Sequence, residues 1–307
     1  MTFAFGAELP GTVQEGAEAV LSSRVGRGVE ILGAEHVSGG CIHQAARLST
    51  NVGEDFFLKW AQGPLSDVFA AEADGLEALR ESTDLTVPEV IGHSGVGEDP
   101  AWLLLEYVAH GDPSPGYSEH LGEGLAALHE AREGQYGWHR PNYIGSLPQT
   151  NRHLEDWPTF WWSERLEPQL ALASNRGRLA GLDREWASLE SKLSMLLAGA
   201  VEDGRSLLHG DLWSGNVYPG ADGSPVLVDP AVYRGHREVD LAMMELFGGF
   251  SRPFYSAYSD RLPLTDGYED IRRNVYQLYP LLVHANLFGG GYIDGAAGAL
   301  RRALRSG

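Results

Sequence analysis

His209-Gly210-Asp211-Leu212-Trp213-Ser214-Gly215-Asn216 decides the reading of this chain, together with Val226-Leu227-Val228-Asp229-Pro230 farther on. Asp211 and Asn216 stand five residues apart, and Asp229 follows an expected hairpin. A tight loop of this kind can hold one carboxylate beside an attacking hydroxyl and return a carboxamide to a metal ion. The next strand then delivers a second carboxylate. That pattern meets the needs of phosphoryl transfer, with Asp211 as the catalytic group and Asn216 and Asp229 as Mg²⁺ ligands. Asp and Asn also favour plain turns, but an Asx-rich turn between two short strands leaves the spacing to Asp229 unexplained.

Upstream, Val29 to Val37, Cys41 to Leu48 and Phe56 to Trp60 read as three strands joined by Ser38-Gly39-Gly40 and Asn51-Val52-Gly53, an antiparallel meander. A helix follows, capped by Ser66 and running to about Glu81. At ~100° per residue Phe69, Leu76 and Leu79 share one face, and Glu72 lies in the middle of it. A carboxylate on an apolar face needs a partner. Lys59, on the preceding strand and one of only two lysines in the chain, can supply it. Such a Lys–Glu pair positions a lysine on nucleotide phosphates; the alternative is a solvent-facing lysine and a poorly oriented glutamate. Amides of Gly39 and Gly40 can approach phosphate oxygens, although a Gly-Gly hairpin often serves only as a turn.

Further strands are expected at Val90-Ile91 and from Trp102 to Tyr107. Beyond Gly111 helical periodicity dominates, over 118–131, 157–172, 183–201, 239–247, 267–287 and 296–304, interrupted by strand-like pieces at 206–209 and 226–229. The expected architecture is α+β and two-lobed: a small antiparallel sheet with one main helix over 1–106, then a larger, mainly helical lobe over 107–307. Ligands favour the cleft between two such lobes.

Composition narrows the partners. The chain has 307 residues, 43% hydrophobic, and a net charge of −19 from 42 acidic and 23 basic side chains. Such a charge repels nucleic acid and anionic membranes. An anionic substrate therefore needs local cations or a metal. A start without a basic n-region and the lack of any long apolar run point to a cytoplasmic protein with no membrane partner. A lone cysteine, Cys41, excludes an internal disulfide and any Cys-based zinc site. Beside the glycine hairpin it is either an inert strand residue or a redox thiol able to link two monomers into a homodimer.

The loop around Trp213 resembles the fructosamine kinase (ketosamine kinase) family, within the protein-kinase-like and aminoglycoside-phosphotransferase-like superfamily. Ser38-Gly39-Gly40-Cys41-Ile42, Lys59, Phe69-Ala70-Ala71-Glu72-Ala73 and Leu104-Leu105-Glu106-Tyr107 are similar to that family's glycine hairpin, nucleotide lysine, partner helix and adenine-binding hinge. Asn142-Tyr143-Ile144-Gly145 with Pro148-Gln149-Thr150-Asn151, then Arg237-Glu238-Val239-Asp240, and Asn286 to Tyr292 extend the likeness over nearly the whole chain. The resemblance implies a two-lobed kinase fold. It also implies ATP- and Mg²⁺-dependent transfer of the γ-phosphoryl group to a sugar hydroxyl of a free or protein-bound ketosamine. It gives Glu106 and Tyr107 to the adenine, and to Asp240 the support of the catalytic-loop backbone, with His209 packing that loop. Trp213 would stack on the sugar or its amine-bearing arm, or else pack the loop onto its lobe. Two other readings compete: a related kinase acting on an aminoglycoside, choline or a similar hydroxylated amine, and a pseudokinase that only binds. The second is disfavoured by the presence of Lys59, Glu72, Asp211, Asn216 and Asp229 together.

Overall fold

The computed structural model describes residues 6–37, 43–63, 67–132, 134–201 and 203–305. The expected glycine hairpin with Gly39, Gly40 and Cys41, and the expected helix cap Ser66, lie outside the described residues. The chain divides into two compact units. One runs to Pro115 and includes Tyr218–Asp229; the other comprises Gly116–Val217 and the residues from Pro230 onward.

The first unit begins with a helix, α1 (Gly11–Val25), that the sequence pattern did not announce. Its buried residues, Val13, Ala17 and Leu21, recur every fourth position and form one narrow stripe. Gly16 lets it approach Trp102, because a Cβ there would lie 2.9 Å from the indole. Strands β1 (Ile31–His36), β2 (Gln44–Thr50) and β3 (Asp55–Ala61) form the expected meander, and β5 (Ala101–Glu106) and β4 (Val90–His93) complete a five-stranded antiparallel sheet in the order β1-β2-β3-β5-β4. Successive strand residues face opposite ways. Phe56, Leu58 and Trp60 therefore enter the core shared with α1, while Lys59, opposite Ala45 and Leu103, faces the other side of the sheet. Helix α2 (Val68–Ser82) buries Phe69, Leu76 and Leu79.

The lobe boundary differs from the expected 106/107. Residues up to Pro115 stay with the sheet because Tyr218–Asp229 folds back onto them. Gly111 N–H donates to Pro219 O at 2.9 Å, Ser114 N–H to Gly223 O at 3.1 Å, Leu227 N–H to Thr86 O at 2.9 Å, and the Tyr218 hydroxyl to Val108 O at 3.0 Å.

In the second unit, α3 (Tyr117–Glu130) packs on the helix Arg252–Arg261, which periodicity did not predict. The expected helix over 157–172 runs on to Asn175 but is π-helical from Trp161 to Leu166. Pro168 explains this: it has no N–H for the Glu164 carbonyl and its ring crowds that oxygen. The Arg165 guanidinium takes over, donating to Glu164 O at 2.9 Å. The expected helix over 267–287 is likewise broken, into a π-turn (Tyr268–Arg272), a short helix (Arg273–Tyr276) and a helix over Leu278–Phe288. Pro280 sits in the first turn of that last helix, where no amide proton is needed. No described helix is long and apolar enough to cross a membrane.

Candidate active site

In the first unit Lys59 is the focus. Its Nζ donates to Glu72 Oε1 at 2.7 Å and also to Asp229 Oδ1. Both side chains of the Lys59–Glu72 pair are about nine-tenths buried, whereas Asp229 is 39% exposed. Burial opposes the ammonium charge, yet Asp229 and Glu72 outweigh it and hold Lys59 above its ordinary value. Burial lifts the Glu72 carboxyl against the pull of Lys59, and Asp229 adds to the rise. One cation thus serves two carboxylates, and the exposed one is free of full burial. Asp229 has φ 55°, a left-handed conformation that aspartate adopts more readily than most residues other than glycine.

At the end of β5, Glu106 N–H is already committed to Glu89 O at 2.9 Å, and its carboxylate accepts from Glu89 N at 3.1 Å. Any adenine contact by Glu106 must therefore use its carbonyl, not its amide. The Tyr107 ring lies under the Arg47 guanidinium at 5.0 Å.

In the second unit the loop from His209 to Asn216 is fastened at both ends. Asp240, buried in the first turn of the helix Glu238–Phe247, accepts from His209 N–H at 2.8 Å and Gly210 N–H at 3.0 Å. His129 Nε2 adds a third bond to Asp240 at 3.3 Å, and Tyr258 O–H satisfies its Nδ1 at 2.9 Å. Burial keeps this imidazole below its ordinary range although Asp240 opposes the shift. Gly210 has φ 81°, and a Cβ there would stand 2.1 Å from Ala231 O, so only glycine fits. Asp211 N–H donates to His209 Nδ1 at 3.3 Å. Asn216 Nδ2 donates to Asp211 O at 2.8 Å and to Asp211 Oδ2 at 3.2 Å. That polarity orients both groups, since only the amide nitrogen can donate to these oxygens. Trp213 folds over Gly215, where a Cβ would meet the indole at 2.3 Å, and sets its ring edgewise to Phe247 at 6.4 Å. The indole stays half-buried, so it both packs the loop and presents surface.

Residues 13–306 match the profile of the family described as fructosamine kinase. The chain belongs to the fructosamine kinase family. It is 41% identical over 286 residues to a Synechocystis protein named a probable ketoamine kinase, covering 93% of this chain and 95% of the relative. An Arabidopsis thaliana protein-ribulosamine 3-kinase, chloroplastic, is 36% identical over 282 residues, covering 91% and 85%. The crystal structure of a candidate fructosamine-3-kinase from Thermobifida fusca superposes with a TM-score of 0.82 at 35% identity, over 94% of this chain and 98% of that one.

Family membership gives context to buried polar residues that carried no assigned role in the sequence. Arg237 is 1% exposed; its Nε donates to Asp203 Oδ2 at 2.8 Å, and its other nitrogens reach Leu262 O and Pro263 O. Arg272 grips Glu238 through two bonds of 2.7 Å. His236 lies between Asp203, at 3.1 Å, and the Tyr276 hydroxyl, at 2.9 Å. Asp203, His236 and Glu238 have the spacing of a metal-binding cluster, but the Arg237 and Arg272 guanidiniums already neutralise its carboxylates. Asp203, His236, Arg237, Glu238 and Arg272 therefore form a buried ion-pair network that anchors the helix bearing Asp240. A second buried network joins Asn142, Gln149, Asn151, Arg165 and Tyr279. Asn142 Nδ2 donates to Val232 O at 2.8 Å and Gln149 Nε2 to Ala231 O at 3.3 Å. It braces the strand Tyr233–Gly235 and its approach, the backbone against which Gly210 packs. In the first unit, His43 stands edge-on to Phe69 at 5.0 Å. Burial, then the Lys59 charge, push His43 down to about 4. Only its place in sequence, shortly after Gly39-Gly40, could have flagged it beforehand.

Proposed function

We propose that this protein transfers the γ-phosphoryl group of ATP, with Mg²⁺, to a sugar hydroxyl of a fructosamine or ribulosamine. The observation that carries the proposal is the Lys59 ammonium held between Glu72 and Asp229. A structural ion pair needs one carboxylate. A lysine with a second, partly exposed one suits a site that receives a triphosphate and its metal. Family membership and the names of the relatives favour a ketosamine as acceptor.

In this reading Asp211 orients the acceptor hydroxyl and takes its proton as the bond to phosphorus forms. Asn216 and Asp229 offer the hard oxygen donors that Mg²⁺ prefers, and bound Mg²⁺ would neutralise charge on the phosphates. Lys59 holds the phosphates and Glu72 holds Lys59. Gly39 and Gly40 contribute backbone amides, while the Glu106 carbonyl and the Tyr107 backbone face the adenine. His209 and Asp240 keep the catalytic loop in shape, and Trp213 contacts the acceptor. Attraction at these few groups has to offset the repulsion between about four ATP charges and a protein of net charge −19.

The test is incubation with ATP and Mg²⁺ against ketosamines of fructose and ribose, beside an aminoglycoside and choline, with the phosphorylated position read by NMR. A phosphorylated ketosamine supports the proposal. Turnover of the aminoglycoside or choline with no ketosamine product refutes it.

A further inference from the structure

Five rings of the second unit form a continuous path that starts in the catalytic loop and ends in solvent. Trp213 meets Phe247 at 6.4 Å, and Phe247 meets His284 at 4.7 Å. His284 meets Phe288 at 5.5 Å and Tyr292 at 4.9 Å, and the last two are 6.2 Å apart. His284 and Phe288 are one helical turn apart on Leu278–Phe288, so they share a face. Tyr292 follows at the start of the helix Gly291–Arg305.

Exposure increases outward along this path. Trp213, Phe247 and His284 are half-buried, whereas Phe288 is 57% and Tyr292 37% exposed. Phe288 and Tyr292 are among only seven large hydrophobic side chains exposed in the described residues, and here two of them adjoin. Contiguous exposed aromatics cost solvation and mark binding surfaces. His284 adds polarity: its Nδ1 donates to Pro280 O at 2.9 Å, which makes Nε2 an acceptor with no hydrogen-bond partner among the described residues. A run of aromatic rings with one acceptor, on a strongly acidic protein, suits an alkylammonium arm.

The geometry points to Phe288 and Tyr292 as a subsite that selects acceptors by the group carried on the ketosamine nitrogen. It favours a lysine side chain within a polypeptide over a small free amine. This rests on the ketosamine kinase reading above. In that frame the sugar lies at Trp213 beside Asp211, the protonated amine passes Phe247 and His284, and the lysine stem and its neighbouring residues lie over Phe288 and Tyr292.

The experiment compares two ketosamines of one sugar, carried on methylamine or on the ε-amino group of a lysine inside an uncharged peptide. Wild type is measured beside Phe288→Ser, Tyr292→Ser and the double variant, with the KM for ATP and the urea midpoint as checks on folding. The peptide-to-methylamine ratio of kcat/KM is expected to fall roughly tenfold in the double variant, through KM for the peptide substrate, because both compounds carry the same ammonium and only the lysine stem loses apolar contact with the two rings. Phe288→Trp, which keeps a ring face, should preserve the ratio; this variant carries the test should the serine variants fold poorly. An unchanged ratio in the serine variants, a change through kcat alone, or loss of the ratio in Phe288→Trp overturns the inference and leaves the kinase reading intact. Failure of wild type to phosphorylate either compound overturns both.

Discussion

Asp240→Asn alters one atom of the support beneath the loop over 209–216. Both Asp240 oxygens are occupied: Oδ1 by Gly210 N–H at 3.0 Å, Oδ2 by His209 N–H at 2.8 Å and His129 Nε2 at 3.3 Å. The residue is 1% exposed, so water cannot replace a lost partner. Asparagine brings one acceptor and one donor. With its NH₂ toward Oδ2's position, two donors confront it; with the opposite flip, only Gly210 N–H does. Even this milder arrangement loses one charge-assisted bond, leaves two buried donor groups unsatisfied, the Gly210 N–H and the new NH₂, and makes the remaining bonds neutral. Charge-assisted bonds are worth about 1.5–3 kcal/mol and each unsatisfied buried donor costs about 1–3, so the expected loss is about 4 kcal/mol or more. Urea unfolding followed by tryptophan fluorescence should show a midpoint lower by roughly 1–2 M. Because Asp211 follows Gly210 directly, kcat for a ketosamine should also fall by roughly 100-fold through misplacement of the carboxylate proposed as the base. A variant whose midpoint stays within about 0.2 M of wild type would refute the assignment of Asp240 as the fastener of this loop.

Three further outcomes are expected. Asp211→Asn should retain ATP affinity by calorimetry while kcat falls by roughly 10²–10⁴-fold, the range for loss of a general base; turnover near wild type would remove that role from Asp211. Asn216→Ala should raise the Mg²⁺ concentration for half-maximal activity by on the order of tenfold or more, and an unchanged Mg²⁺ dependence would exclude Asn216 as a ligand. Burial raises the Asp203 carboxyl, but hydrogen bonds from His236 and Arg237 outweigh it and bring it to about 2, from an ordinary 3.8. A depressed carboxyl stabilises the fold above its unfolded value, and that stabilisation is lost as pH falls through the folded one. The stability gap between wild type and Asp203→Asn should thus hold steady above pH ~4 and shrink by about 2 kcal/mol toward pH 2. A gap that widened on acidification would contradict the pairing.

Parts of the site were legible because short-range periodicity encodes them. Glu72 could be placed on the buried face of α2 by counting from Phe69, Leu76 and Leu79, and the structure brings it 2.7 Å from Lys59. The same counting did not find α1, whose apolar stripe is only Val13, Ala17 and Leu21, in a stretch otherwise rich in glycine and small residues. It also overran the helices at Trp161–Leu166 and Tyr268–Arg272. There Pro168 and the side chain of Arg165 rearrange the first of these backbones, and Pro280 forces a fresh helix start after the second.

The amino-acid order by itself determined the spacing of Asp211 and Asn216, the antiparallel meander and the need of a buried glutamate for a cation, because each depends on residues near one another in sequence. Only the tertiary structure decided that Tyr218–Asp229 belongs with the sheet and brings Asp229 to Lys59, 170 positions away. It likewise decided that Arg237 and Glu238 are buried ion-pair members, and that Trp213 heads a line of rings reaching Tyr292. A charge or a ring in sequence carries no mark of the distant partner that will neutralise or cover it. That pairing is set by how the chain closes on itself, through backbone bonds such as Leu227 N–H to Thr86 O that no local pattern announces.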